Sequence, residues 1–448
     1  MKTRSMLVLL CIVNQCVLAA QEADPKPITH LTMAEAVRLA HEHRPDLASL
    51  AQAIQANRSG AKAAIAGYYP TITFIEQLTQ SNGQGDPVNL SSINANQMIY
   101  SFAGPQQLYR RAKSYAELSE VERAVQENVV RWEVERAFLQ AYLIQENDRL
   151  IQSTFEAAKV NYKKSKNENK QDLLDKNEWL KRVESYAASI AFHYQFDDDV
   201  QIAFRKLELL LGQPVFLVSG EIGAGADKRK TTIAKMEWQH PSKAYLAPLN
   251  TYMTYAIDHR PEIRLGIKKM DIEQANIKLA QGARLPTFTA NFQAGFQGEF
   301  GLTAPIGPLS QIYDKEFHNV TIGATWTLFD GVVNQHQERQ ARANKLKELL
   351  AQQQTILTIK SDVQEKYFTY AKALLQIKAQ KMSYLRSRNE FKLRKQELAI
   401  GQISPVDFKT AESNWEQAEY DWITRNVDLA LKHHDLMFSC GYPAEMEG

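Results

Sequence analysis

Cysteine is almost absent from this sequence, with three residues among 448. Cys11 and Cys16 lie in an N-terminal segment that has basic residues, then an apolar run, then small residues, which predicts a secretory signal over residues 1–20. Small residues do not directly precede Cys16, so no lipid anchor is predicted. Removal of the signal leaves Cys440 alone, and a single cysteine can form neither an internal disulfide nor a metal site by itself.

Excess charge of one sign and long apolar runs are also missing. The formal net charge is +2 with 23% charged residues, which argues against nucleic acid as the main partner, because phosphate binding needs a concentrated basic face. Beyond the signal, no uninterrupted apolar run reaches about 18 residues, so no transmembrane helix is predicted. The chain has no nucleophile elbow and no paired histidines at helical spacing, so we predict no catalytic site, no metal site and no cofactor.

Glycine and proline are absent from Val332 to Ile400. Every seventh position from 349 onward in this stretch is apolar, and charged or amide side chains fill the other faces. A seven-residue period held for this distance predicts a supercoiled helix roughly 100 Å long. The apolar positions are Leu349, Ile356, Val363, Tyr370, Ile377, Tyr384, Phe391 and Leu398.

An internal repeat organises the chain. His43-Arg44-Pro45-Asp46 recurs as His259-Arg260-Pro261-Glu262, and the same offset of 216 carries Pro70 onto Pro286. Two prolines held at one separation in both copies indicate duplication. We therefore divide the chain into a signal, a first repeat, a linker, a second repeat and a short tail. Their predicted bounds are 1–20, 21–214, 215–248, 249–443 and 444–448.

Each repeat is predicted to contain two helices broken at the Arg-Pro step, two strands and a long helical hairpin. The short helices are expected over Met33–His43, Leu47–Ala66, Leu249–His259 and Ile263–Ala283. The strand pairs are expected at about 70–102 and 286–329, and the hairpins over 105–211 and 332–440. The hairpins are expected to fold back within Lys163–Asp175 and at Gly401–Pro405.

The strands of the second repeat alternate with period two. Phe288, Phe292 and Phe296 fall on one face of the first strand, Thr and Gln side chains fall on the other, and Trp326 lies on the apolar face of the second strand, predicted over Val320 to Leu328. This pattern is typical of an outer-membrane strand with lipid on one side and water on the other. A soluble sandwich or lipocalin-like sheet also alternates; the signal and the long helices favour the membrane.

Four strands per chain cannot close a barrel, which needs about eight, and open sheet edges are not tolerated in lipid. Two or more chains must therefore share one barrel, although the sequence does not fix their number. The predicted fold class is a mixed α/β membrane protein. Its duplicated unit of two strands and a long hairpin gives a shared outer-membrane β-barrel continued by a periplasmic α-helical barrel.

This plan resembles the TolC family of outer-membrane efflux proteins over essentially the whole mature chain. The likeness rests on the paired Arg-Pro breaks, Tyr69-Pro70 and Leu285-Pro286, Leu328-Phe329-Asp330-Gly331, Gly401-Gln402-Ile403-Ser404-Pro405-Val406-Asp407 and the closing Gly441. The resemblance implies a homotrimer in outer-membrane lipid. It also implies an exit duct for efflux or type I secretion that works with a periplasmic adaptor and an inner-membrane pump of the RND or ABC type.

The resemblance also implies an acidic constriction near the hairpin tips. Asp407 matches its first acidic position, Thr410 stands at the second, and Asp175 is acidic at the first tip. Gly401 and Pro405 form the second tip, and Asn169 stands where glycine is usual at the first. The alternative for Asp407 is a favourable charge at the positive end of a helix dipole.

Two other function classes are kept as alternatives. A periplasmic adaptor or coiled-coil scaffold of an envelope-spanning complex also uses long helical hairpins, but that class lacks duplicated strand pairs. A secreted hydrolase would need a convergent catalytic site, which the sequence does not offer.

Overall fold

The structure is a computed structural model. It describes residues 30–79, 88–102, 104–171, 175–212, 218–219, 232–233, 235–238, 246–299, 315–403 and 405–442. The predicted signal, both predicted strand loops, most of the linker and the tail lie outside the described residues.

Eight α-helices lie in the described part of the chain. They are α1 Met33–His43, α2 Pro45–Ala66, α3 Pro105–Lys170, α4 Lys176–Leu211, α5 Leu249–His259, α6 Pro261–Gly282, α7 Val333–Ala399 and α8 Pro405–Cys440. The predicted bounds of α1 and α5 are confirmed to the residue, and those of α7 to within one residue at each end. None of these helices combines the length and the apolar content needed to cross a membrane.

The Arg-Pro breaks have the same geometry in both repeats. Arg44 and Arg260 take an extended ψ of 124° and 125°, as the residue before a proline must, so α1 and α5 end there. Each arginine then pairs with the acid two residues on, at 2.7 Å from Asp46 and 2.8 Å from Glu262. Burial alone would raise the pKa of Asp46, but the hydrogen bond from Arg44 holds it below its ordinary value.

The strands form one four-stranded antiparallel sheet and two small pairings. The large sheet has the order β2-β3-β7-β8, so the strand pair of each repeat meets the other through β3 and β7. β1 pairs with β6 in parallel, and β4 pairs with β5. The bounds are β1 His30–Thr32, β2 Thr71–Thr79, β3 Val88–Ser101, β4 Val218–Ser219, β5 Thr232–Ile233, β6 Lys235–Glu237, β7 Thr287–Glu299 and β8 Lys315–Thr325.

The position of β8 corrects the prediction for the last strand, which was expected over Val320 to Leu328. β7 begins directly after Pro286, and its first residue, Thr287, pairs with Thr325. No residue of β7 is left to pair with Trp326, which therefore lies just beyond the strand. Its indole Nε1 instead donates to the carbonyl oxygen of Arg284 at 3.0 Å.

The chain forms two compact units, and each takes segments from both repeats. The first contains the described parts of 1–48, 126–259 and 359–448, and the second contains those of 49–125 and 260–358. The first unit has a core of fully buried side chains from α1, α3, α4 and α8, each stabilising by about 1.5–3 kcal/mol when large and apolar. Its largest members include Phe138, Leu139, Phe204, Leu207 and Leu436.

The second unit contains the sheet and the helices that flank it. Here α2 and α3 are joined by an ion pair of 2.6 Å between Arg58 and Glu120. Lys268 of α6 reaches Glu117 of α3 at 2.7 Å. These contacts hold the first part of α3 beside α2 and α6, one short helix from each repeat.

The two hairpins, α3–α4 and α7–α8, are equivalent at a constant offset of 229 residues. The offset carries the end of α3 at Lys170 onto the end of α7 at Ala399, and the start of α4 at Lys176 onto the start of α8 at Pro405. Aromatic stacks repeat with the same offset. In the first hairpin the ring centroids are 4.6 Å apart in Phe155–His193, 4.5 Å in Tyr162–Tyr186 and 5.7 Å in Tyr162–Trp179. The equivalent pairs of the second hairpin, in the same order, are Tyr384–Trp422 at 6.1 Å, Phe391–Trp415 at 4.6 Å and Phe391–Phe408 at 5.7 Å.

Candidate functional site

The second hairpin tip is a sharp turn between α7 and α8. Gly401 has φ of +74°, the left-handed region that favours glycine, and the amide of Gln402 donates to the carbonyl of Glu397 at 2.8 Å. α8 then begins at Pro405. Gly401 and Pro405 therefore lie at the two ends of the turn.

Asp407 and Thr410 lie on one exposed face of α8. Both side chains are exposed, as are Asn414 and Gln417 further along the same face. The opposite face carries Phe408, which packs on Phe391 of α7 near the tip. The exposed face is a polar stripe that begins with Asp407 and continues to Asp421, which accepts a hydrogen bond from Gln417 at 3.0 Å. The positive end of the α8 dipole favours the Asp407 carboxylate.

The first hairpin tip differs from the sequence-based expectation. Asn169 is the penultimate residue of α3 and is helical, so it does not form a left-handed cap. The fold-back lies between Lys170 and Lys176, within the predicted stretch. Asp175 is the N-cap of α4, and its carboxylate accepts a hydrogen bond from the amide of Asn177 at 3.1 Å.

The equivalent of Asp407 in the first hairpin is Glu178, which sequence reasoning missed. The 229-residue offset carries Glu178 onto Asp407, whereas it carries Asp175 onto position 404. Glu178 lies in the first turn of α4 and pairs with Arg182 at 2.8 Å. Counting back from the matching hairpin ends, Leu211-Gly212 and Cys440-Gly441, would have found it from the sequence.

Near the middle of its four strands the sheet is apolar on one face and polar on the other, whereas the row of Phe296 also contains Glu76, Ser91 and Glu316. The register aligns Ile72, Ala95, Phe292 and Val320 in one row. The next row toward the loops is polar and contains Thr73, Asn94, Gln293 and Asn319. Phe288, Phe292 and Phe296 are 37%, 45% and 46% exposed on the apolar side, so the predicted aromatic face exists and is uncovered in the single chain.

A second aromatic set lies at the helix-proximal ends of the strands, and of its members only Trp326 was predicted to belong to the apolar face. Its side chains are 47% to 81% exposed. Aromatic side chains of this kind are enriched where a membrane meets water. The residues are Tyr68, Tyr69, Tyr100, Phe102, Trp326 and Phe329. These aromatic residues lie close in sequence to the prolines and glycines that end the strands, and this pattern could have indicated them from the sequence.

A buried polar cluster joins α3 to the end of α8. Glu135 is 3% exposed and contacts Arg131 Nε at 2.8 Å, His434 Nδ1 at 2.8 Å and the hydroxyl of Tyr442 at 3.0 Å. Burial would raise the pKa of Glu135, but the hydrogen bond and charge of His434 and Arg131 hold it below its ordinary value. Beside it, burial and the neighbouring His434 lower the pKa of His433 to about 4.

Within the described residues, no group of three or more His, Cys, Asp or Glu side chains is arranged to hold a metal ion. His41 contacts the backbone carbonyl of Glu127 at 3.3 Å, and it lines the same pocket as His433 and His434. The remaining cysteine, Cys440, is buried.

The outer membrane efflux protein family model matches residues 254–441. The match covers the second repeat, and the resemblance predicted from the sequence is thereby confirmed. An outer membrane efflux family also agrees with the predicted location in the outer membrane, extending into the periplasm. The chain has no match among curated proteins.

Solved outer-membrane proteins share the fold of this chain over most of its length. It is similar to a membrane protein from Pseudomonas aeruginosa, with 17% identity, a TM-score of 0.71 and coverage of 91% and 92% of the two chains. The CmeC outer membrane channel of Campylobacter jejuni is 15% identical, with a TM-score of 0.71 and coverage of 93% of this chain and 87% of that one. The open MtrE channel of Neisseria gonorrhoeae is 15% identical, with a TM-score of 0.69 and coverage of 91% of this chain and 88% of that one. The predicted fold class is confirmed.

Proposed function

We propose that the protein is the outer-membrane exit duct of a tripartite efflux or type I secretion system. It would give substrates a passive route from the periplasm or pump to the exterior. The observation that carries the proposal is the two-faced sheet, with a row such as Ile72–Ala95–Phe292–Val320 toward lipid and Thr73–Asn94–Gln293–Asn319 toward a water-filled interior. The matched family and the shared fold of solved channels support the same function.

The proposed assembly is a homotrimer in which the sheets of three chains join. β2 and β8 are the edge strands of the sheet, and every residue of β2 is exposed. Unpaired strand edges are costly in lipid, so each β8 edge is expected to pair with the β2 edge of the next chain. Closure by three copies follows the family resemblance.

Asp407 is proposed to line a constriction at the narrow end of the helical part, with Thr410 one turn further along. Three carboxylates around one axis attract cations and repel anions electrostatically. Asp175 keeps the role of a helix cap in this proposal. The hairpin tips would also be the surface for a periplasmic adaptor and an RND or ABC pump, which supply the energy. The duct itself carries no catalysis.

The test is electrical recording of the purified protein in planar lipid bilayers. Discrete current steps that favour cations over anions are expected from the wild-type protein. Asp407→Ala should keep the steps and lose part of the cation preference. A stable membrane-inserted particle that passes no current as wild type or as Asp407→Ala would contradict the proposal.

A further inference from the structure

The two repeats contact each other through α3 and α8 in the first unit. The Trp132 ring of α3 stacks on Phe438 of α8 with centroids 5.2 Å apart, and its Nε1 donates to Asp435 at 2.8 Å. Arg136, one turn along α3, reaches the same carboxylate at 3.3 Å. The contact therefore combines an aromatic stack with a cation on the outgoing helix and an anion on the returning helix.

The equivalent faces of α4 and α7 remain uncovered in the single chain. The 229-residue offset carries Lys206 and Leu209 of α4 onto Asp435 and Phe438, and carries Arg136 of α3 onto Glu365 of α7. Leu209 is 80% exposed, and the Glu365 side chain is 71% exposed beside Lys366. The positions that form a contact in one pair of helices are thus present but open in the other pair.

These open faces carry exposed apolar side chains and charges of opposite sign, Lys206 on α4 and Glu365 on α7. A groove of about 570 Å³ between α3 and α4 is lined by apolar side chains that include Phe196, Ile202 and Leu209. On α7, Phe368 is 62% exposed one turn beyond Glu365 and offers an aromatic ring of suitable size. The ion pair is reversed in sign relative to the observed one, with the cation Lys206 on the returning helix and the anion Glu365 on the outgoing helix.

We propose that α7 of a second copy covers this groove, with Phe368 in the groove and Glu365 paired with Lys206. This contact rests on the proposed shared assembly, and it specifies which helices of neighbouring chains meet. Joining α3 to a neighbour's α4 would bring Arg136 onto Lys206, and joining α7 to a neighbour's α8 would bring Glu365 onto Asp435. Both pairings bring like charges together, and the α3 and α8 faces already contact each other within the chain. The open α4 and α7 faces are therefore left to pair between copies.

The test is a charge swap in the full-length mature protein, read as the dissociation rate of the detergent-solubilised oligomer. Lys206→Glu and Glu365→Lys should each speed dissociation by roughly two- to fivefold per interface, as for exposed pairs. The double variant should return to near the wild-type rate. Lys163→Glu, an exposed change near the tip of the first hairpin, is the control for net charge alone.

A second measurement covers the case in which a charge variant does not fold. Leu209→Cys with Ser361→Cys, the equivalents of the stacked Phe438 and Trp132, should cross-link chains into covalent multimers under mild oxidation. The contact would be overturned if the double charge variant dissociated no more slowly than the single variants, or if an intact oligomer of the cysteine variant did not cross-link. Either result would leave the proposed duct standing. A monomeric wild-type protein would overturn the duct as well.

Discussion

Phe292→Arg tests the assignment of the sheet faces. Phe292 lies in the middle of β7, between Ala95 on β3 and Val320 on β8, and is 45% exposed on the apolar side. An arginine near the bilayer midplane on the lipid side of a barrel costs about 2–4 kcal/mol. Because each 1.4 kcal/mol is a factor of ten, the membrane-folded population should fall by roughly 30- to 1,000-fold per chain.

The neighbouring residue supplies a matched control. Gln293 belongs to the same strand but faces the polar side, in the row with Thr73, Asn94 and Asn319. Gln293→Arg adds the same charge at nearly the same depth, and it should cost little if that side is wet.

The assay is folding of each purified variant into lipid vesicles, followed by the yield of oligomer that resists dissociation in unheated detergent gels. The wild type and Gln293→Arg should give similar yields, and Phe292→Arg should give almost none. Equal yields for the two arginine variants, or a lower yield for Gln293→Arg, would refute the assignment of the faces.

Three further predictions concern the tip and the buried cluster. Asp407→Asn should weaken cation preference and divalent-ion block in single-channel recordings, and unchanged recordings would place Asp407 outside the constriction. The pKa of His433 is about 4 in the folded protein, against 6.5 in the unfolded chain. Its neutral form therefore contributes stability that is fully present above pH 6.5 and is lost as the pH falls toward 4. The free energy of unfolding should fall by up to about 3 kcal/mol over this range. His433→Gln should therefore flatten the fall in melting temperature between pH 7 and pH 5, and an unaltered slope would exclude His433 as its source. Gly401→Val should destabilise the turn by about 1–2 kcal/mol, because φ of +74° disfavours a β-branched side chain, and a melting temperature at or above wild type would contradict this.

Much of the fold follows from two sequence periods. A seven-residue apolar period predicts α7 to within one residue at each end, and period-two alternation predicts the face of Phe292. Both succeed because long elements bury the same face over their whole length, so local errors average out. The Arg-Pro steps succeed for a different reason, since proline restricts the residue before it regardless of tertiary context.

The failures occur where the outcome depends on partners distant in sequence. Trp326 falls outside β8 because the register with β7 ends at Thr325, which alternation alone does not reveal. Asn169 stays helical because the first tip turns after Lys170, without glycine in the described residues to mark it. The Glu135 cluster joins groups about 300 residues apart in the chain, so no local pattern could have indicated it.

The most direct test of the shared duct is the protein mass of the particle extracted from outer membranes in mild detergent, with the bound detergent subtracted. The expected result is a stable particle of three mature chains that enters solution only with detergent. A monomer recovered without detergent would show that the four strands complete no membrane assembly, and it would contradict both the proposed function and the pairing of Lys206 with Glu365.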